Sequence, residues 1–162
     1  MTKRAALVFL SIAMWLAATA GNAVAQSSPT PDDLTLRPGD TITWSGPGHV
    51  VQFGGSPAGV TLTPLTDVQK ILTFTPPLDV NDGAGFSTKD QVPLVTAKLN
   101  ANADEQGVSA FDFICAIHAP LMHSRPFTVA PKAGNPDRTV KIKAVGTSWM
   151  LETPHGDVLL DK

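Results

Sequence analysis

The sequence contains little cysteine, little charge and few long apolar runs. Cys115 is the only cysteine among 162 residues, which excludes a disulfide within the chain. Charged residues make up 16% of the sequence and form no basic cluster, which argues against a nucleic-acid partner. After residue 20 no stretch is long and apolar enough for a transmembrane helix, which needs about 20 residues. The sequence also lacks an internal repeat and any long segment with helical periodicity.

The first residues have the pattern of a secretory signal peptide. Two basic residues precede an apolar run over residues 5–20, and Ala23 and Ala25 form an Ala-x-Ala cleavage pattern. The run is short for a membrane anchor. We therefore expect cleavage after Ala25 and a periplasmic or secreted protein with no membrane span in its mature chain. In such compartments an unpaired cysteine indicates intermolecular pairing, a reactive thiol or a metal-bound thiolate.

Short segments rich in β-branched and aromatic residues alternate with glycine- and proline-rich turns over the rest of the chain. Asp67–Leu72 is the one segment that could form a turn of helix. The predicted strands are Leu34–Arg37, Thr41–Trp44, Val50–Phe53, Val60–Leu62, Ile71–Phe74, Val92–Leu99, Ala110–Ile114, Pro126–Val129, Thr139–Val145, Ser148–Glu152 and Asp157–Leu160. Many short strands at this spacing indicate an all-β fold, an antiparallel sandwich or barrel.

Composition divides the chain into four parts. The signal peptide, residues 1–25, is followed by a polar, proline-rich leader over 26–33. Residues 34–130 form the main β domain. Residues 131–162 are too short for an independent fold, so we expect a C-terminal β extension of the same domain. Within it, Trp149 is expected to pack in the extension itself.

Four side chains that can bind metals lie close together, at Cys115, His118, Met122 and His123. Cys115 directly follows one predicted strand, and His49 directly precedes another far upstream. In a sandwich, a remote strand and a strand-end loop can meet at one end. One thiolate and two imidazoles with a weak axial methionine are the ligands of a blue-copper electron-transfer site.

A structural role is the alternative for each of these residues. A buried free cysteine behaves as a small hydrophobe, and methionine often fills gaps in a core. His49 follows Gly-Pro-Gly, so it could be an ordinary turn residue. His155, in a Pro-His-Gly turn, is expected to be exposed.

Three segments occur in order with these residues: Pro-Gly-Asp-Thr-Ile-Thr-Trp over 38–44, Gly-His-Val-Val-Gln-Phe over 48–53 and Phe-Asp-Phe-Ile-Cys-Ala-Ile-His over 111–118. Together they resemble the small cupredoxins of the plastocyanin and amicyanin type, over roughly residues 32–130. The resemblance implies a Greek-key cupredoxin-like β-sandwich that binds one copper ion. It also implies a ligand order of His49, Cys115, His118 and an axial residue.

The chain departs from the family pattern at several positions. Val50 stands where plastocyanin-like chains usually have asparagine, and Ile117 where the family often has proline or glycine. The long interval between His49 and Cys115 predicts enlarged loops between residues 56 and 105.

The axial ligand is an open choice between two neighbouring residues. Plastocyanin-like proteins place methionine at His-x4 and amicyanin-like ones at His-x2, whereas here Met122 falls at His-x3. His123 occupies His-x4, and a Cys-x2-His-x4-His pattern occurs in the red-copper nitrosocyanin. We favour Met122, because a thioether is the usual weak axial donor. His123 is the alternative and would stabilise Cu(II).

The predicted site suits an exported monomer that carries single electrons between redox partners. His118 is expected to be the ligand nearest the surface, and its apolar neighbours would form the surface on which partner proteins dock. A periplasmic copper-binding or copper-tolerance protein is the second interpretation. A red-copper-like mononuclear site with axial His123, or an enzyme built on it, is the third. Four histidines cannot fill the trinuclear cluster of a multicopper oxidase.

Overall fold

The computed structural model describes residues 27–75, 77, 86–87 and 95–162. The predicted signal peptide over 1–25 lies outside these residues, as does much of the region predicted to hold enlarged loops. Among the described residues, no helix has the length and apolar character needed to cross a membrane.

Short β-strands dominate the described part of the chain. The strands are β1 (Thr35–Leu36), β2 (Thr41–Ser45), β3 (Val50–Gln52), β4 (Leu72–Thr75), β5 (Phe86–Ser87), β6 (Val95–Leu99), β7 (Ala110–Phe111), β8 (Ile114–Cys115), β9 (Phe127–Val129), β10 (Thr139–Val145), β11 (Ser148–Thr153) and β12 (Gly156–Leu159). They are accompanied by one described α-helix, α1 (Leu65–Ile71), and by short 3-10 turns at Pro57–Gly59 and Ala103–Glu105. The prediction of a mostly β protein with little helix is confirmed.

The described strands form three sheets. The largest has six strands in the order β12-β11-β10-β2-β6-β4, and the two smaller sheets have the orders β1-β9-β7 and β5-β3-β8. The β2–β10 and β1–β9 pairs are parallel, so two of the three sheets are mixed, whereas the sequence led us to expect antiparallel pairing. The sheet β5-β3-β8 is antiparallel. A parallel pair needs a long crossover, and most of the chain lies between β2 and β10. Because β10 pairs with all five residues of β2, the predicted extension over 131–162 continues the central sheet.

Three local predictions need correction or adjustment. Val60–Leu62 is not a strand: the Val60 amide donates to Pro57 O and the Leu62 amide to Gly55 O, so its hydrogen bonds are used in turns. The strand predicted over Ala110–Ile114 is divided into β7 and β8, because the amide of Phe113 donates to the Ser124 hydroxyl. The predicted helical turn is present as α1, which buries Val68 and Ile71.

A hydrophobic core joins all three sheets. Alternate residues of β2, Ile42 and Trp44, point inward, as period-two strands require. The Trp44 ring meets Phe53 and Phe113 edge to face, with centroids 5.8 and 5.5 Å apart. This aromatic packing is part of the core that the three sheets share.

Candidate metal centre

His49 and Cys115 come together because their strands pair. β3 and β8 are antiparallel, with Val51 opposite Cys115. His49 precedes Val51 by two residues, so its side chain is directed to the same face as Val51 and Cys115. The Ala116 amide donates to Val50 O at 2.9 Å and extends the pairing to the residue beside His49.

A closed backbone loop brings His118 and Met122 to Cys115. The His118 amide donates to Cys115 O at 3.2 Å, and the Cys115 amide donates to Met122 O at 3.0 Å. The Leu121 and Met122 amides both reach His118 O, at 2.8 and 3.4 Å. Both backbone polar groups of Cys115 are therefore bonded to other predicted ligands, which fixes the loop to the end of β8.

The two imidazoles and the thiol form a triangle of the size that a metal ion requires. Cys115 Sγ lies 3.6 Å from Nδ1 of His49 and 3.4 Å from Nδ1 of His118, and the donor atoms all lie within 4.8 Å of one another. A tetrahedral metal with bonds of about 2.3 Å to sulfur and 2.0 Å to nitrogen would separate S and N by about 3.5 Å. His49, Cys115 and His118 could therefore hold a metal ion.

The three donor side chains differ in their exposure to solvent. Cys115 is fully buried, His49 is 7% exposed, and His118 is partly exposed. Burial lowers the pKa of His49, and the neighbouring His118 lowers it further. The lowered pKa favours the neutral imidazole, which is the form that binds metals. His118 is the donor nearest the surface, as the sequence predicted.

Met122 and His123 lie on opposite sides of the backbone that follows the loop. Ile114 and His123 form an antiparallel bridge, and the next pair along is Cys115 with Met122. Successive side chains of a ladder alternate between faces, so Met122 shares a face with Cys115 while His123 shares one with Ile114. Met122 is fully buried and belongs to the same core cluster as Cys115.

The His123 imidazole lies beside two charged side chains, Asp112 and Lys162. Its Nε2 lies 2.8 Å from Asp112 Oδ2 and 2.8 Å from Lys162 Nζ, and Lys162 Nζ also donates to Asp112 Oδ2 at 3.0 Å. Burial by itself raises the pKa of Asp112, but hydrogen bonds from His123, Thr63 and Lys162 outweigh it and lower the pKa overall. His123 thus belongs to an ion-pair cluster at the edge of the metal-binding group.

Trp149 borders the centre, although the sequence predicted it to pack within the extension. It is fully buried, and its ring centroid lies 5.9 Å from that of His49 and 5.4 Å from that of Phe113. Its indole Nε1–H donates to Met122 O at 3.1 Å. Only the pairing of β10 with β2 brings β11 here, and no local sequence pattern indicates that pairing.

No protein-family model, no curated protein and no solved structure matches this chain. Its function must therefore be inferred from the residues and their positions.

Proposed function

We propose that residues 34–130 form a Greek-key cupredoxin-like domain that binds one copper ion and carries single electrons between redox partners. The observation that carries this proposal is the buried triangle of one thiol and two imidazoles at His49, Cys115 and His118. Thiolate and imidazole donors together suit both Cu(I) and Cu(II). Copper, when bound, supplies a one-electron couple; the protein supplies fixed donors and excludes water.

A geometry that changes little between oxidation states is favoured by the positions of His49, directly before β3, and of Cys115, in β8. His49 and Cys115 are joined through the β3–β8 pairing, and the loop that carries His118 is closed by hydrogen bonds at both ends. Donors held this way move little, which keeps the reorganisation that accompanies electron transfer small. The same rigidity slows release of the ion and favours a carrier over a protein that stores or delivers copper.

We propose Met122 as the axial ligand and assign His123 to the ion-pair cluster with Asp112. Met122 shares a ladder face with Cys115, whereas His123 Nε2 is already bonded at 2.8 Å to Asp112. A red-copper-like site would require His123 to exchange its present face for that of Cys115, away from Asp112. That exchange would leave the buried Asp112 short of one hydrogen bond.

The surface around His118 suits brief docking of redox proteins. Ile117 and Leu121, on either side of His118 in sequence, are 60% and 70% exposed. Small apolar patches of this kind exclude water from a contact without requiring a large interface. We therefore propose that electrons pass through the partly exposed His118 edge, and that the carrier acts as a monomer.

Export is part of the same proposal. Its support is the basic start, short apolar run and Ala-x-Ala pattern over residues 1–25. N-terminal sequencing of protein isolated from its native host should give a chain that begins at Gln26. A chain that retains its first residues would contradict export by this route.

The deciding experiment is an optical and EPR spectrum of the copper-loaded mature protein, followed by a redox titration. An intense thiolate-to-copper absorption that is lost and recovered in reversible one-electron steps supports the carrier function. Tight copper binding with no reversible reduction would instead indicate a copper-handling protein. Absence of copper binding would overturn the proposal.

A further inference from the structure

The C-terminal extension lies directly against the segments that carry the candidate ligands. Residues 160–162 run antiparallel to 123–125, with the Arg125 amide donating to Leu160 O and the Lys162 amide to His123 O, both at 2.8 Å. The segment over 123–125 in turn pairs with the residues before Cys115. Residues 123–125, which follow the loop that carries His118 and Met122, therefore lie between the main domain and the extension.

The entry to His49 is also packed against the extension. Gly46 has φ +124°, and a Cβ placed on it would lie 2.6 Å from the Cβ of Ala144 in β10. Only glycine permits this approach. The turn that precedes His49 therefore rests on β10, so both ligand-bearing segments contact the C-terminal extension, one at β10 and the other at residues 160–162.

Trp149, at the start of β11, joins these two contacts. Its ring lies 5.9 Å from the His49 ring between centroids, and its Nε1–H donates to the carbonyl of Met122 at 3.1 Å. The same carbonyl accepts the amide of Cys115 at 3.0 Å. One oxygen thus links the thiol ligand, the proposed axial residue and the extension.

Hydrogen bonds from the end of the chain fix the backbone of Trp149. Its amide lies 3.1 and 3.2 Å from the two carboxylate oxygens of the buried Asp161, and its carbonyl accepts the Leu160 amide at 2.8 Å. A fully buried indole with its backbone groups and its N–H all bonded has little freedom to move. It can therefore impose a position on Met122 rather than merely follow it.

We propose that Trp149 is a positioning residue of the metal centre. Its indole N–H fixes Met122 by donating to the Met122 carbonyl, and its ring shields His49 from solvent. This inference rests on the proposed binding of a metal by His49, Cys115 and His118. Groups that orient ligands from outside the coordination sphere tune both affinity and electronic structure. The extension over 131–162 would then help to position the residues of the metal site.

The test compares the full mature chain with Trp149→Phe and with the matched control Trp44→Phe, each loaded separately with Co(II) and Cu(II). Phenylalanine keeps an aromatic ring but removes the indole donor. Trp44 is an equally buried tryptophan whose ring contacts Phe53 and Phe113. Co(II) is included because its visible bands report coordination geometry whether or not copper is the native ion.

For Trp149→Phe we expect a folded protein that binds both ions, with shifted Co(II) bands, an altered Cu(II) EPR spectrum and an affinity for Cu(II) about 10-fold to 100-fold weaker. Trp44→Phe should match the parent chain in all three measurements. The inference is overturned if Trp149→Phe matches the parent chain, or if Trp44→Phe changes the spectra as much.

Two further outcomes separate this inference from the proposed function. If the parent chain binds Co(II) through its thiol but shows no reversible copper couple, the proposed electron-transfer function is wrong. The Co(II) bands of the parent chain and of Trp149→Phe still test the role of Trp149. If it binds neither ion, both proposals fail.

Should Trp149→Phe not fold, NMR of the parent chain loaded with Zn(II) gives the answer. The indole N–H resonance that persists in Trp44→Phe belongs to Trp149, since the mature chain has two tryptophans. It should exchange slowly with solvent and shift on metal loading more than that of Trp44. An unshifted Trp149 resonance contradicts the inference.

Discussion

Cys115 Sγ lies 3.6 Å from Nδ1 of His49, a residue 66 positions earlier in the chain. Only the folded β3–β8 pair creates this proximity, so the donors are dispersed in the unfolded chain. A ligand that binds the folded state alone stabilises it in proportion to the logarithm of its concentration over Kd. Metal binding should therefore be linked to folding.

We expect the copper-loaded protein to unfold at a higher temperature than the same protein treated with a chelator. A ligand present at about 100 times its Kd adds about 2.7 kcal/mol to the free energy of unfolding. Cys115→Ser should lose most of this gain, because a hydroxyl is a poor substitute for a thiolate. His155→Ala, at an exposed turn position, is the matched control and should keep the full gain. Calorimetry with and without metal measures both.

The choice between Met122 and His123 can be tested by a pair of substitutions. Met122→Leu conserves volume, so it should cost less than about 1.5 kcal/mol of stability while it changes the copper spectrum. His123→Ala should leave the spectrum unchanged, because its imidazole lies on the ladder face opposite Cys115, beside Asp112. EPR spectra of the two copper-loaded variants are the measurement. The reverse pattern would assign the axial position to His123.

The sequence predicted the group of residues that could hold a metal ion more fully than it predicted the surroundings of that group. The residue types at His49, Cys115 and His118, together with their places at predicted strand ends, were sufficient to group them. The preference for Met122 over His123 rested in the sequence on donor type alone, because turn residues do not fix the register across a loop of unknown shape. The register of Ile114 with His123 now supports that preference. Trp149 was missed because its position depends on a long-range pairing.

The parallel pairing of β10 with β2 illustrates why the rest could not be predicted. Alternating polar and apolar residues identify each strand, and both Thr41–Ser45 and Thr139–Val145 show them. Neither segment contains a feature that specifies which strand it pairs with, because the backbone hydrogen bonds are the same for every partner strand. The choice is made by the whole core, into which Trp44 and Ile142 pack together.

The acid stability of the protein should depend on Asp112. Its carboxylate has a lowered pKa in the folded state, despite its burial, because His123, Thr63 and Lys162 hydrogen-bond to it. A lowered folded pKa contributes stability above the unfolded value of about 4, and this contribution is lost as pH falls through the folded pKa. Asp112→Asn should therefore unfold with a shallower pH dependence below about pH 5.

Denaturant unfolding at a series of pH values checks this prediction. Asp104→Asn, at an exposed position, is the control and should follow the parent curve. Asp161 has a raised pKa because burial outweighs its hydrogen bond from Trp149, so its contribution has the opposite sign and falls as pH rises. It is present in both variants and cancels in their comparison. Identical slopes for Asp112→Asn and the parent chain would rule out this role for Asp112.

Electron self-exchange between two copies of the protein should depend on the apolar surface around His118. Two copies can meet through Ile117 and Leu121, whose exposed side chains exclude water as they touch. Leu121→Lys places a like charge on both faces of this encounter. At low ionic strength we expect self-exchange at least about tenfold slower, with the loss shrinking as added salt screens the charges.

The control for this comparison is Ala101→Lys, which adds the same charge at an exposed position. Ala101 follows β6 and lies near the first residue of β2, because Lys98 of β6 pairs with Thr41. The turn that leads to His49 follows the last residue of β2, so Ala101 and His49 are at opposite ends of this strand. NMR line widths of mixed reduced and oxidised samples give the exchange rate. Equal slowing by both substitutions would mean that net charge, and not the surface at His118, governs the encounter. Slowing confined to Leu121→Lys identifies that surface as the route of electron transfer.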